Sequence, residues 1–248
     1  MTGIIPVNNN KTMPAKNSIK QYIENGFYHI YNRGVDKRNI FLDDQDYRVF
    51  LHLLKFYLSP QEQKYQNQHP LTEVTGIIPV RLHLFETLPN EIDLLTFCLI
   101  ANHFHLLLKQ ITADGVTKLL RRISITYAMY FNKRYKRVGH LFQGIFKAAF
   151  IENDAYLLYL SKYIHLNPTE LTGIIPVNYP YSSYAYYMGT KSAPWIKPKF
   201  ILDYFQNNKN DLLLPKQINS YKSFVEEYQQ NPQELLGTLL LEEEELES

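Results

Sequence analysis

LLTFCLI at residues 94–100 and HFHLLLK at residues 103–109 are two apolar runs separated only by Ala101 and Asn102. Two such runs with so short a break predict a β-hairpin. In a strand, residues i and i+2 project to the same side. His103 and His105 therefore share one face of the second strand, flanked by Phe104, Leu106, Leu107 and Leu108. Two imidazoles placed in this way can bind one metal ion. The chain contains eight histidines, so a His-x-His pair by itself is a common pattern that also fits structural or surface histidines.

Working outward, FYHIYN at 27–32 reads as an earlier strand, closed by Arg33-Gly34. Asp43, Asp44 and Asp46 then lead into DYRVFLHLLKFYLS, an apolar pattern of helical period behind candidate caps. Residues 60–90 hold Pro, Gln and Asn and read as an insertion, with a short strand at RLHLFE. Beyond the hairpin, Val116, Leu119, Leu120, Ile123, Tyr127, Tyr130 and Phe131 fall at three- and four-residue spacing, which predicts a helix over 113–137. Residues 140–151 (HLFQGIFKAAFI) read as a last strand. Asn153 or Asp154 then caps a helix expected to end at Asn167-Pro168. The order β-α-β-β-α-β-α predicts an α+β fold: a ferredoxin-like antiparallel sheet with helices on one face. The expected division is a flexible N-terminus at 1–24, a core at 25–170 carrying the insertion, and a C-terminal extension at 171–248 with an acidic tail.

Composition sets bounds on function. Hydrophobic residues make up 45% and charged residues 20%, as in soluble globular proteins. No apolar run approaches the roughly 18 residues of a membrane span, and the N-terminus lacks the apolar centre of a secretory signal. A cytoplasmic, nucleoid-associated protein without membrane partners is expected. Cys98 is the only cysteine, which excludes an intrachain disulfide and a cysteine-based zinc site. The formal charge of +2 hides an asymmetry. Residues 109–147 carry nine Lys/Arg against one acid, Asp114, while residues 226–248 carry eight Glu and no cation. A basic middle suits a polyanion, with Lys133, Arg134, Lys136 and Arg137 expected to track phosphates. The tail reads either as a shield for that patch or as a solvated end. Twenty Tyr and fourteen Phe suit stacking on unpaired bases, or an aromatic core.

YIHLNP at 163–168 is the second chemical feature. On a helix, Tyr163 and Asn167 share a face at i and i+4, while His165 points elsewhere. A tyrosine phenolate can attack phosphorus and become a covalent intermediate, and the Asn167 amide oxygen can complete a metal site with the two histidines. The alternative is a core tyrosine near a helix end.

Three segments in order then carry a family resemblance: YHIYNRGVDKRNIF at 28–41, NHFHLLL at 102–108 and GHLFQGIFKAAFIENDAYLLYLSKYIHLNP at 139–168. Together they resemble the REP-associated tyrosine transposases of the HUH single-strand nuclease superfamily. The likeness runs from about residue 27 to about 205, continuing weakly through YPYSSYAYYMG and PWIKPKFILDYF. The resemblance implies a ferredoxin-like core and a Mg²⁺- or Mn²⁺-dependent endonuclease. Such an enzyme cuts and rejoins single-stranded hairpin DNA through a 5′-phosphotyrosine. Two imidazoles alone would also admit zinc. Tyr163 matches the nucleophile, His103 and His105 match the HUH pair, and Asn167 stands where an amide ligand is expected. Arg33, Arg121, Arg122, Lys133, Arg134, Lys136, Arg137, Gln143 and Lys147 are the expected DNA contacts. Phe142 replaces a tryptophan common before the glutamine, and Ile145 replaces a common arginine, which puts one phosphate contact in doubt. Relatives act as homodimers that exchange the tyrosine helix or as monomers, and both arrangements remain open. The competing readings are a DNA-repeat-binding protein without cleavage activity and a metalloenzyme built on His103, His105 and His165.

The peptide Thr-Gly-Ile-Ile-Pro-Val occurs three times, at 2–7, 75–80 and 172–177. Chance does not produce this, and the unequal spacing rules out a solenoid repeat. The codons ACG-GGG-ATA-ATC-CCC-GTN spell the peptide, and ACGGGGAT is the reverse complement of ATCCCCGT. The three peptides are thus expected to be translated copies of one palindromic DNA repeat, exposed and nearly neutral to stability. Reading the gene tests this. Shared codons with inverted symmetry are the expected result, and unrelated synonymous codons would end the idea.

Overall fold

The computed structural model describes residues 22–60, 87–206 and 218–227. Most of the N-terminal segment, the body of the 60–90 insertion with its expected strand, the acidic tail and the first two copies of the repeated hexapeptide lie outside the described residues. The elements in chain order are β1 (Phe27–Arg33), α1 (Asp44–Leu58), β2 (Ile92–Ile100), β3 (His103–Gln110), α2 (Gly115–Arg134), β4 (Lys147–Ile151), α3 (Asp154–Thr172), α4 (Tyr184–Tyr187), α5 (Lys199–Gln206) and α6 (Tyr221–Glu226). The four strands form one sheet in the order β2-β3-β1-β4, with every neighbouring pair antiparallel. With α1 and α2 as the two crossovers, this is the ferredoxin-like arrangement.

The pleat divides the sheet into two apolar faces. Tyr28, Ile30, Phe104, Leu106 and Leu108 join a core with Val49, Phe50 and Leu53 of α1 and with the predicted stripe of α2. That stripe is buried as expected, from Val116 to Phe131. The opposite face, with Leu107, Cys98 and Ile151, packs against α3 and the C-terminal helices. The two crossover helices thus share one face, and the helix that bears Tyr163 covers the other.

Helix starts follow the expected chemistry. The Asp43 side chain caps α1 by accepting from Asp46 N, and Asn153 caps α3 by accepting from Tyr156 N. Two boundaries differ from expectation. The last strand begins at Lys147 rather than residue 140, because residues 141–143 close against the end of β1. Val35 N donates to Leu141 O at 3.0 Å and Gln143 N to Arg33 O at 2.9 Å. Leu141, Phe142 and Phe146 are apolar because they plug the first core, not because they alternate in a ladder. The last long helix also runs through Pro168 to Thr172. Pro168 supplies no N–H to the preceding turn, yet packing on both sides of α3 holds the axis. The helix ends at Gly173, in left-handed geometry with φ 74°. The third hexapeptide copy forms this cap and the loop after it. Ile174, Ile175 and Val177 are exposed and Pro176 is buried.

Arg134 has a structural task in this fold. Asp46 is completely buried, and its carboxylate accepts from Arg134 Nη1 at 2.7 Å, from the hydroxyls of Tyr130 and Tyr135 at 2.9 and 2.8 Å, and from Leu42 N at 2.8 Å. Arg134 also pairs with Asp43, holding that carboxyl below its ordinary range. Removing the cation strands a buried carboxylate. Arg134→Ala is therefore expected to cost about 3 kcal/mol, which lowers Tm by roughly 10 °C for a chain of this size. Urea and thermal unfolding read both, and an unchanged midpoint would contradict the assignment.

Candidate active site

β3 places His103 and His105 on the face that receives α3. Their rings stand at 88° with centroids 4.9 Å apart. His105 is fully buried and His103 half-buried, so His103 marks the open side of the site. The Nε2 atoms of both rings are withdrawn from solvent. Asn102 settles the tautomer of His103. Its Oδ1 lies 2.6 Å from His103 Nδ1, while its Nδ2 donates to Lys37 O at 3.5 Å. An amide oxygen only accepts, so His103 Nδ1 is the donor of this bond. His105 is held well below the ordinary histidine range by burial and by the neighbouring His103, which keeps the ring neutral.

From α3, Tyr163 meets this group edge-on, its ring 5.6 Å from that of His105 and 6.5 Å from that of His29. Asn167 Nδ2 donates to the Tyr163 hydroxyl at 3.3 Å, as the i, i+4 spacing predicts. Asn167 Oδ1 is buried and finds no hydrogen-bond partner among the described residues. Two imidazoles and one buried amide oxygen are donor types that suit a divalent cation of intermediate hardness. Among the described residues, no group of three or more His, Cys, Asp or Glu is placed to hold a metal.

Arg33 faces His103 in the β1–β3 register, and its Nε donates to Gln143 Oε1. The structure thus brings two expected DNA contacts beside the histidine pair. Lys147 lies opposite Tyr31 on β4. The remaining candidates belong to α2 and the residues just after it. Arg121, Lys133 and Lys136 are exposed. Arg122 lies over the Tyr57 ring, Arg137 lies over Phe131 and donates to Asn132, and Arg134 is engaged by Asp43 and Asp46. Ile145 is 77% exposed, so the side chain standing in for the expected arginine presents hydrocarbon to solvent.

Residues 86–167 match the family model of the IS200-like transposases. The matched stretch contains His103, His105, Tyr163 and Asn167, and agrees with the resemblance of the sequence segments. No curated protein matches the chain. Among solved structures, that of the REP-associated tyrosine transposase bound to a REP hairpin aligns with a TM-score of 0.48 at 13% identity, covering 73% of this chain and 90% of that one.

The IS200-like stretch begins after β1 and so omits one residue of the site that the sequence reading also missed. His29 Nε2 lies 2.9 Å from His105 Nδ1, and the ring is fully buried. The signal was the period-two pattern of FYHIYN, which sets His29 on one face with Tyr31 and opposite Ile30. Among the described residues, no helix is long and apolar enough to cross a membrane.

His165 takes no part in the group. Its Nδ1 lies 2.8 Å from the Tyr221 hydroxyl of α6 and its Nε2 2.7 Å from Ser183 Oγ, which removes the basis for a metal centre built on His103, His105 and His165. Burial pushes the His165 pKa down from 6.5 to about 3. The unfolded chain protonates below 6.5 while the folded ring stays neutral, so stability is full above 6.5 and falls as the pH drops toward 3. His165→Gln is expected to flatten this slope, though not to abolish it, because His105 acts in the same direction. Unfolding midpoints at stepped pH measure the difference, and equal slopes would show that His165 is not buried neutral.

Proposed function

We propose that the chain is a metal-dependent, transposase-type endonuclease that cuts and rejoins single-stranded hairpin DNA with Tyr163 as nucleophile. The observation that carries this reading is the meeting of two elements far apart in sequence. One face of α3 presents Tyr163 and Asn167 to the one face of β3 that bears His103 and His105. The IS200-like match over these residues supports the substrate class, and the three-segment resemblance supports a hairpin.

His103, His105 and Asn167 are the residues that would hold a divalent ion, which when bound would supply Lewis-acid polarisation of a phosphate oxygen. The chain's own groups do the rest. The Tyr163 oxygen attacks phosphorus in line. A P–O bond forms to the phenol as the bond to the 3′ oxygen breaks, and the phenol loses its proton while the 3′ oxygen gains one. The products are a 5′-phosphotyrosine and a free 3′-OH. The covalent link conserves the phosphodiester, so a 3′-OH can reverse the step and rejoin strands without ATP. Asn167 Nδ2 donates to the attacking oxygen, which aims its lone pair and stabilises negative charge once the proton has left. Arg33 and Gln143, beside His103 at the end of β1, are the residues expected to meet the phosphate next to the cut. The basic exit of α2, with Lys133 and Lys136, offers further phosphate contacts.

A nicking assay on single-stranded hairpins from the DNA around the gene, with Mn²⁺, tests the reading. The unaltered chain is expected to nick and to leave a protein–DNA adduct on denaturing gels. Tyr163→Phe should abolish both, lowering the rate by more than about 10³-fold, while hairpin binding persists. Nicking that survives Tyr163→Phe, or that survives the joint loss of His103 and His105, would overturn the assignment.

A further inference from the structure

β1 and β3 are antiparallel neighbours, and His29 is the register partner of Leu107, with Tyr31 opposite His105. His29 thus reaches His105 diagonally across the ladder, within the span that long side chains bridge. The contact is specific in direction. Nε2 of His29 meets Nδ1 of His105 at 2.9 Å, and the two rings lie 17° from parallel with centroids 5.2 Å apart. Both residues are completely buried, so no water competes for the bond.

A bond between two neutral imidazoles has one proton and two possible owners. If His29 donates, His105 Nδ1 is the acceptor, the His105 proton sits on Nε2, and that nitrogen cannot ligate. If His105 donates, Nε2 keeps its lone pair, in a ring whose centroid lies 4.9 Å from that of His103 and 5.6 Å from that of Tyr163. Asn102 solves the same problem for His103 with an atom that can only accept.

We infer that His29 is a positioning residue for the metal site: it accepts the Nδ1 proton of His105, fixes that ring's tautomer and plane, and so makes Nε2 a ligand. This rests on the reading of His105 as a metal ligand. In the histidine sites of metalloproteins, the group bonded to the non-ligating nitrogen commonly changes metal affinity by about 10- to 100-fold when removed. Here the role falls to a third imidazole from the neighbouring strand.

Mn²⁺ binding by the full chain, followed by the electron paramagnetic resonance signal of the free ion, needs neither DNA nor turnover. His29→Leu is expected to weaken Mn²⁺ binding by about 10- to 100-fold, while His29→Gln, whose amide oxygen can accept the same proton, restores most of the affinity. A merely structural His29 would shift the unfolding midpoint and leave Mn²⁺ affinity in place. Long-range ¹⁵N–¹H spectra of the unaltered chain with Mg²⁺ give a second measure that no folding defect can confuse. They should show His105 protonated at Nδ1 and bare at Nε2. Wild-type affinity in His29→Leu, or an Nε2-protonated His105 in those spectra, would overturn the inference. Mn²⁺ affinity that is unmoved by His103→Ala would instead sink the metal reading beneath it, and the role of His29 with it.

Discussion

The alternation of β3 is the constraint on which the other features depend. One strand must deliver Phe104, Leu106 and Leu108 to the core under α1 and α2, and His103 and His105 to the opposite side. A slip of one residue would exchange the two sets and put imidazoles into an apolar core. The tip of the β2–β3 hairpin is held accordingly. Ile40 N and Phe41 N both donate to Ala101 O, at 2.7 and 2.9 Å, and Gly34 N donates to Asn102 O at 2.9 Å. Gly34 is required by this close approach, since a Cβ there would stand 2.2 Å from Arg38 O. The clamp that fixes the register also fixes Asn102, and through it the tautomer of His103.

Burying polar rings inside a sheet has a cost unless each finds a partner. That cost explains why the site extends beyond the pair visible in a motif. Asn102 serves His103 and His29 contacts His105, while Asn167 serves the Tyr163 hydroxyl. The hairpin, the helical stripe of α2, the i, i+4 relation of Tyr163 to Asn167 and the ferredoxin-like order were all legible in the sequence, because each is a local periodicity. His29 was not. Its partner is 76 residues away, and only the register of β1 on β3 makes them neighbours. The start of β4 and the end of α3 were misjudged for related reasons. Leu141, Phe142 and Phe146 are apolar to fill a core rather than to alternate, and Pro168 is tolerated because tertiary packing outweighs the lost hydrogen bond.

α3 illustrates how an element can be read in kind but not in surroundings. Its central residues, Leu157 to His165, are all buried, so it lacks the polar stripe of a surface helix. The sheet covers one side. The C-terminal helices cover another, through Phe205, Tyr221 and Phe224. His165 pins that second side to Tyr221 and Ser183, and Ser183 in turn bonds the backbone of Phe97 on the edge strand β2. The extension is therefore not an appendage to the core. It is the outer wall that packs the helix bearing Tyr163 against the sheet.

The basic middle of the chain divides in the same way. Counted along the sequence, nine cations between 109 and 147 suggest one continuous phosphate track. In space, α2 lies on the face of the sheet opposite His103 and His105. Arg134 is taken up by Asp43 and Asp46, and Lys118 by Glu91 and Asp114. Arg33 and Gln143 lie at the histidine end of β1, reached by the chain as it leaves α2 through Leu141. A ligand at the histidines meets this edge directly, whereas contact with Arg121 or Arg122 requires it to pass around the sheet as well. Charge alone could not distinguish these groups, because the sequence records how many cations there are and not which face each one occupies. A single ligand that touched both sets would therefore have to reach around the edge of the sheet.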